Sequence, residues 1–268
     1  MDDIREHMEQ ARMQCTFDDK HLHHRRGPCP ALATSVSFGG GQAMPGILAH
    51  SSRNRKVLCR LRRNPAFIRN SKFVNGAFAT WFPKLHKYYR DTLGKLYENN
   101  EGLERVFPDS AWAAMSFNFG PATWCYRHKD FGNLAYGVCA ITNAGVFDST
   151  RGGHLVLWEC GLVIEFPPST SIILPSAAIS HSNVPIQPNE TRYSFTEYAA
   201  GGLFRWAEHG FQNEACYRAG LSQAGREAEK VHIAMCRDFG LSLLSTMDEL
   251  RAMAGPMAAP SYMQGLNA

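Results

Sequence analysis

Met115-Ser116-Phe117-Asn118-Phe119-Gly120-Pro121 opens the part of the chain whose reading decides the fold. A short apolar run ends there in a Gly-Pro turn signal, and similar runs recur at 123–126, 134–141, 154–158, 162–166, 171–174, 179–183 and 192–198. Between them lie Asn143-Ala144-Gly145, Arg151-Gly152-Gly153, Pro167-Pro168-Ser169 and Gln187-Pro188-Asn189-Glu190. About eight short strands, spaced by roughly 8–12 residues, predict an antiparallel sandwich or barrel of the jelly-roll kind.

Outward from this region the period becomes helical. Upstream, Leu85, Tyr88, Tyr89, Leu93, Leu96 and Tyr97 recur on one face behind Pro83, which predicts an amphipathic helix over 84–100. Another is predicted over 51–63, ending before Pro65; it carries Arg53, Arg55, Lys56, Arg60, Arg62 and Arg63 and no acidic residue. This basic face is a candidate for nucleic-acid backbone contact, the alternative being a solvated face paired with carboxylates elsewhere. Ser35-Val36-Ser37-Phe38 leads like a strand into Gly39-Gly40-Gly41, either a loop that lets backbone approach a phosphate or base, or a plain turn. It lacks the Lys-Ser/Thr of a P-loop and the spacing of a dinucleotide fingerprint.

Downstream of Phe211 the helical pattern returns from about Cys216 to Cys236 and again near 241–250, before a tail from Ala254 expected to fray. The fold class expected is therefore α+β. A double-stranded β-helix (jelly-roll) core at 111–211 carries a mainly helical part at 31–110 and a C-terminal helical extension at 212–268. Residues 1–30 read as a flexible polar segment that begins as a helix. Its His21, His23 and His24, near Cys15 and Cys29, match no metal-ligand spacing, and a mobile basic terminus is the plainer reading.

The 268 residues, 44% hydrophobic and 19% charged, are enough to bury a sizeable core and argue against a disordered chain. A net charge of +4 is compatible with a polyanionic partner without demanding one. The eight cysteines form no Cys-x-x-Cys pair and read as reduced thiols. With no signal-peptide core and no run of about eighteen apolar residues, an intracellular protein without a membrane partner is expected.

Within the β-rich region, Tyr126-Arg127-His128-Lys129-Asp130 holds the single His-x-Asp of the chain. Chance supplies about 0.4 such triplets for this composition, so the triplet needs its context. In extended backbone His128 and Asp130 share a face. A second imidazole, His181 on a late strand, would complete a 2-His-1-carboxylate triad that leaves positions open on iron(II). His154 is the second choice of ligand. Arg192 follows His181 by eleven residues and shares a strand face with Ser194. Iron(II) held by three protein ligands needs an organic reductant, and 2-oxoglutarate would chelate it and direct its far carboxylate at such a fixed arginine fork and hydroxyl. Asn133, Tyr126, Ser180 and Ser182 lie close enough in sequence to line the pocket. The alternative is a non-catalytic shell in which the histidines are ordinary and Arg192 pairs with Glu190 or Glu197.

Phe117-Asn118-Phe119-Gly120-Pro121-Ala122-Thr123, Tyr126 to Asp130, Gly152-Gly153-His154-Leu155-Val156-Leu157-Trp158, Leu174-Pro175-Ser176-Ala177, Ser180-His181-Ser182-Asn183 and Glu190 to Phe195 together resemble the iron(II)/2-oxoglutarate-dependent dioxygenases. Within these the chain resembles the TET/JBP-type nucleic-acid base oxygenases abundant in mushroom-forming fungi, often near transposons. The likeness extends to 37–42 and 201–206 and covers about 35–215. It implies that His128, Asp130 and His181 are iron ligands and catalytic, and that Arg192 binds 2-oxoglutarate, with dioxygen as co-substrate; Ser194, from its shared strand face, and Asn133, from its closeness in sequence, are the further candidate cofactor-binding residues. It further implies oxidation of the methyl group of a modified DNA base, foremost 5-methylcytosine to 5-hydroxymethylcytosine and further products. Methylated DNA would then be the partner and the nucleus the location. A 2-oxoglutarate-dependent hydroxylase of a protein side chain or small molecule, and a catalytically silent transposon-associated DNA-binding module, are the alternatives. The cysteine-rich zinc-binding extension of animal TET proteins is not evident in the sequence.

Overall fold

The structure, a computed structural model, describes residues 2–254. The tail expected to fray after Ala254 lies outside them. Helices flank two antiparallel sheets, one of six strands in the order β2-β1-β3-β9-β4-β7 and one of three in the order β6-β5-β8. The larger holds β1 (Ala31–Ser37), β2 (Gly46–Ile47), β3 (Ala114–Asn118), β4 (Cys139–Val146), β7 (Ser171–Leu174) and β9 (Thr191–Tyr198); the smaller holds β5 (Leu155–Leu157), β6 (Leu162–Ile164) and β8 (His181–Asn183).

The alternation of β9 sorts its side chains between two environments. Tyr193 and Phe195 point outward with Met115 and Phe117 of β3, into an apolar cluster shared with α1 (Asp2–Gln14), α3 (Ser52–Arg63) and α4 (Pro65–Trp81). Arg192 and Ser194 occupy the opposite, inner face, in register with Gly145 and Asn143 of β4. On that side Cys139, Leu155, Leu157, Phe166 and Leu174 join the two sheets through one apolar cluster. A third cluster packs α5 (Pro83–Glu98) through Leu85, Tyr89, Leu93 and Leu96 against α6 (Gly201–Glu208). These are four of the six residues of the helical stripe read from sequence.

Several expectations need correction. The N-terminal segment is not loose: Ile4, Met8, Ala11 and Cys15 recur at helical spacing and are buried in the outer cluster. The part at 31–110 contains β1, a strand paired on both sides and buried at Ala31, Leu32, Thr34, Ser35 and Val36. Burial on both faces removes the alternation that marks a strand. The run at 123–126 is irregular, and residues 134–138 precede β4 as a turn. Asn143-Ala144-Gly145 lies inside β4, where Gly145 takes φ +140° as the strand passes the Thr191 carbonyl, a close approach only glycine permits. The C-terminal extension divides into α7 (Glu214–Gly220), α8 (Gln223–Ser242) and α9 (Met247–Ala254). Among the described residues no helix is long and apolar enough to cross a membrane.

One buried outward residue of β9 carries a carboxyl. Glu197 is 1% exposed and accepts hydrogen bonds of 2.8 Å from the hydroxyls of Ser71 on α4 and Ser110. Burial pushes its carboxyl up to about 7. The folded chain therefore holds this proton more tightly than the unfolded one, and stability falls as pH rises from the ordinary glutamate range through about 7. Glu197→Gln should flatten that slope: thermal melting followed from about pH 5 to 8 should show wild type losing stability relative to the variant. Parallel curves would contradict the assignment.

Candidate metal centre

His128 and His181 meet through a reciprocal backbone pair, His128 N–H to the His181 carbonyl at 3.0 Å and the reverse at 2.9 Å. β8 thereby carries His181 beside the irregular segment that bears His128. Asp130 follows two residues on, its backbone N–H donating to the Ser176 carbonyl at 2.9 Å. One ligand atom from each of His128, Asp130 and His181 lies within 4.8 Å of the others, forming a group able to hold a metal ion. The two histidine side chains are 6% and 5% exposed, and that of Asp130 16%.

Each imidazole commits one nitrogen to backbone. His128 Nδ1 donates to the Tyr126 carbonyl at 2.7 Å and His181 Nδ1 to the Ile179 carbonyl at 3.0 Å. That fixes the tautomer and turns both Nε2 lone pairs toward Asp130, at 3.7 and 3.9 Å from its carboxylate oxygens. Those separations are too long for hydrogen bonds and suit atoms that share an ion between them. Burial, followed by the neighbouring His181, pushes the His128 imidazole down to about 4, which leaves it neutral, the form that ligates. Two imidazoles and one carboxylate on one side of an ion are a donor set suited to iron(II) with open positions.

Arg192, on the inner face of β9, is 1% exposed and has no carboxylate partner. Nη1 donates to the Thr123 carbonyl at 2.7 Å, Nη2 donates to Asn143 Oδ1 at 2.6 Å, and the buried Nε has no partner. Desolvation pushes its pKa down to about 10, so the guanidinium remains charged at neutral pH. An uncompensated buried cation with a spare donor is suited to an anionic ligand. Neither Glu190 nor Glu197 pairs with it: Glu190 accepts from Asp148 and Gln187 backbone, and Glu197 lies on the other face of the sheet. Ser194 accepts from Asn118 Nδ2 at 3.0 Å. Asn133 donates to Ser176 Oγ at 3.1 Å and its backbone N–H donates to the Asp130 carbonyl at 2.9 Å, so it braces the turn behind the carboxylate ligand. His154, the second choice, stands outside the cluster; its carbonyl accepts from Val184 N–H.

The basic face of α3 is elsewhere. The helix packs on the outer side of the large sheet, whereas the triad lies on the inner side. Arg53 donates to the Gln14 carbonyl, Arg60 to the Gln14 side chain, and Arg62 to the carbonyls of Val106 and Arg105; Arg55, Lys56 and Arg63 are exposed. In place of a distant helix, the N-terminal segment supplies cations. The turn His24–Gly27 is pinned to the ligand segment by Tyr126 N–H donating to the Arg26 carbonyl at 2.7 Å, with Gly27 against the Trp124 carbonyl. Arg25 and Arg26, with Ala33, Ser116, Asp130, Asn133 and Thr196, border a niche of about 210 Å³. The histidines of this segment are used locally: His24 pairs with the Cys29 carbonyl and His23 with Asp19. The Gly39–Gly41 turn is exposed, all three glycines at positive φ, at the edge of an apolar hollow of about 930 Å³.

Glu159, on the β5–β6 turn, joins the two histidine segments. Its carboxylate accepts from Ser180 N–H and Ser180 Oγ, each at 2.7 Å, and pairs with Lys129 Nζ at 3.1 Å. Lys129 adjoins His128 and Asp130, and Ser180 adjoins His181. Glu159→Gln should therefore weaken metal affinity by about 10–100-fold, the usual cost of a lost supporting partner. Calorimetric titration of cobalt(II) or zinc(II) into both proteins checks this, and equal affinities would contradict it.

No protein-family model and no curated protein matches the chain. Among solved structures, NgTET1 in complex with 5mC DNA superposes with a TM-score of 0.53 at 12% identity, over 75% of this chain and 69% of that one. A 2OG-Fe(II) oxygenase-family oxidoreductase from Burkholderia pseudomallei aligns at 14% identity with a TM-score of 0.37, over 73% and 76% of the two chains. The viral collagen prolyl hydroxylase of Paramecium Bursaria Chlorella virus-1, in its 2OG complex, aligns at 14% identity with a TM-score of 0.24, over 31% and 55%. The chain thus shares the overall fold of NgTET1.

Proposed function

We propose that the protein is an iron(II)/2-oxoglutarate-dependent dioxygenase of the TET/JBP type, which oxidises the methyl group of a modified DNA base, foremost 5-methylcytosine. The observation that carries this reading is the His128, Asp130 and His181 cluster together with the buried, uncompensated guanidinium of Arg192, which lies on the inner face of the large sheet, the side on which the smaller sheet carries His181. Its fold supports it, and the choice of base follows from the methylated DNA bound by NgTET1. The two facing sheets are then an open double-stranded β-helix, with the triad between them.

His128, Asp130 and His181 would hold the iron. Arg192, with Ser194 beside it on the strand, would receive the far carboxylate of 2-oxoglutarate, and Asn133 would keep the Asp130 turn in place. When bound, iron(II) with 2-oxoglutarate and dioxygen supplies the oxidation, one oxygen atom entering succinate as carbon dioxide leaves and the other entering a methyl C–H bond to give the hydroxymethyl base. The chain would bind the cofactors, hold both imidazoles through Nδ1 so that Nε2 faces the ion, and shield the reacting space from bulk water. A C5-methyl inside a duplex cannot reach a buried triad, so its nucleotide has to leave the stack. A DNA substrate would be met in the nucleus.

Succinate formation with iron(II), ascorbate and 2-oxoglutarate tests this reading. It should rise when DNA carrying 5-methylcytosine is added and stay at its basal rate with the unmethylated sequence. Equal rates would shift the reading to a protein or small-molecule substrate, and no succinate under any condition would leave a silent binding module.

A further inference from the structure

We infer that DNA is gripped by an arginine and aromatic rim around the metal centre, built from Arg25, Arg26, Arg127, Phe131 and Trp158, with Phe131 taking the place of the extruded base. This rests on the base-oxygenase reading above and identifies the surface through which that reading would operate.

Phe131 directly follows the ligand Asp130 on a two-residue turn and is 74% exposed. An apolar ring so exposed adds little to the core, and its position beside the triad is where a displaced base leaves a gap in the duplex. The Arg25 guanidinium lies 5.7 Å from the Phe131 ring centroid and donates to the Lys129 carbonyl at 3.1 Å, so it is held next to the ring. Arg127 covers the ring of Trp158 at 4.8 Å, and Trp158 is 46% exposed. Among the described residues neither Arg26 nor Arg127 has a side-chain hydrogen bond or ion pair with protein. Cations stacked on aromatic faces bind phosphate at their edge while the rings accept bases, the combination that nucleic-acid grooves use.

Charge favours the same partner. Residues 21–30 and 124–133 contain Arg25, Arg26, Arg127 and Lys129, and their single carboxylate is the ligand Asp130. The neighbouring Glu159 is neutralised by Lys129. The rim is thus cationic around a site whose own acid belongs to the metal. α3 has more cations, six against four, but it packs on the outer side of the large sheet, away from the segments that carry the triad.

The test is fluorescence anisotropy of the full chain with a labelled duplex holding one 5-methylcytosine, across a range of salt. In parallel, a 2-aminopurine placed beside the methylated base reports unstacking. Arg25→Ala with Arg127→Ala should weaken binding by at least about tenfold and reduce the salt slope by about 2, one for each phosphate left without its arginine. Phe131→Ala should lower the 2-aminopurine signal while the salt slope stays as in wild type. Arg55→Ala, Lys56→Ala and Arg63→Ala together should weaken binding less than the rim pair. Wild-type binding with unaffected rim variants, or a larger loss from the α3 variant, would overturn the rim and leave the base-oxygenase reading standing. No binding by wild type even at low salt would overturn both. Circular dichroism melting of each variant separates weaker DNA binding from impaired folding.

Discussion

Alanine in place of His128, Asp130 or His181 is expected to bring 2-oxoglutarate turnover below detection and to weaken metal binding by more than about 100-fold, beyond the usual cost of losing a supporting partner. Each variant removes one of the three donor atoms that lie within 4.8 Å of one another. Two donors still attract an ion, but they do not fix its geometry or leave the same positions free. The histidine variants should fold: a reciprocal backbone pair, which alanine retains, joins the segments of residues 128 and 181. Asp130→Ala should be at least as stable as wild type without metal, because a largely buried carboxylate without a close cation is removed. Metal titration alongside succinate assay checks all three, and normal turnover in any of them would displace that residue from the centre.

The second large effect is expected at Arg192. Arg192→Ala should raise the 2-oxoglutarate concentration needed for half-maximal turnover by about 100-fold, within the range that corresponds to the roughly 2–5 kcal/mol lost when one partner of a buried charged pair is truncated. Metal affinity should change little, since the guanidinium bonds Thr123 and Asn143 rather than the triad. Arg192→Lys should not restore binding, because a point charge cannot supply the planar fork. With 2-oxoglutarate and metal, wild type alone should gain melting temperature. A variant that loses metal before it loses 2-oxoglutarate would reverse this assignment.

The triad was legible in sequence because period-two geometry makes His-x-Asp in extended backbone a two-donor unit, and a strand histidine facing the same interior completes it. Arg192 and Ser194 were legible for the same reason, as alternate residues of a strand that the structure places at 191–198. The large sheet was harder to read. β1 is buried on both faces and loses its alternation, and the Asn143-Ala144-Gly145 turn signal marks a glycine passing a neighbouring strand. The N-terminal wall of the site was not legible at all. Arg25 reaches the Lys129 carbonyl across 104 residues of sequence, and no spacing rule links Arg25-Arg26-Gly27 to the segment it supports. Glu159 was hidden similarly, since a lone acid on a hairpin turn acquires its role only from the two segments that fold against it. The α3 cations illustrate the converse: their density is plain in sequence, and their side of the sheet is not.

The central claim, oxidation of a methylated DNA base at the His128, Asp130 and His181 centre, is tested most directly by mass spectrometry of the nucleosides. DNA containing 5-methylcytosine would be incubated with the protein, iron(II), ascorbate and 2-oxoglutarate, then digested and compared with a His128→Ala control. Appearance of 5-hydroxymethylcytosine with wild type alone is the predicted result. Unchanged 5-methylcytosine, in a preparation that forms succinate, would contradict it.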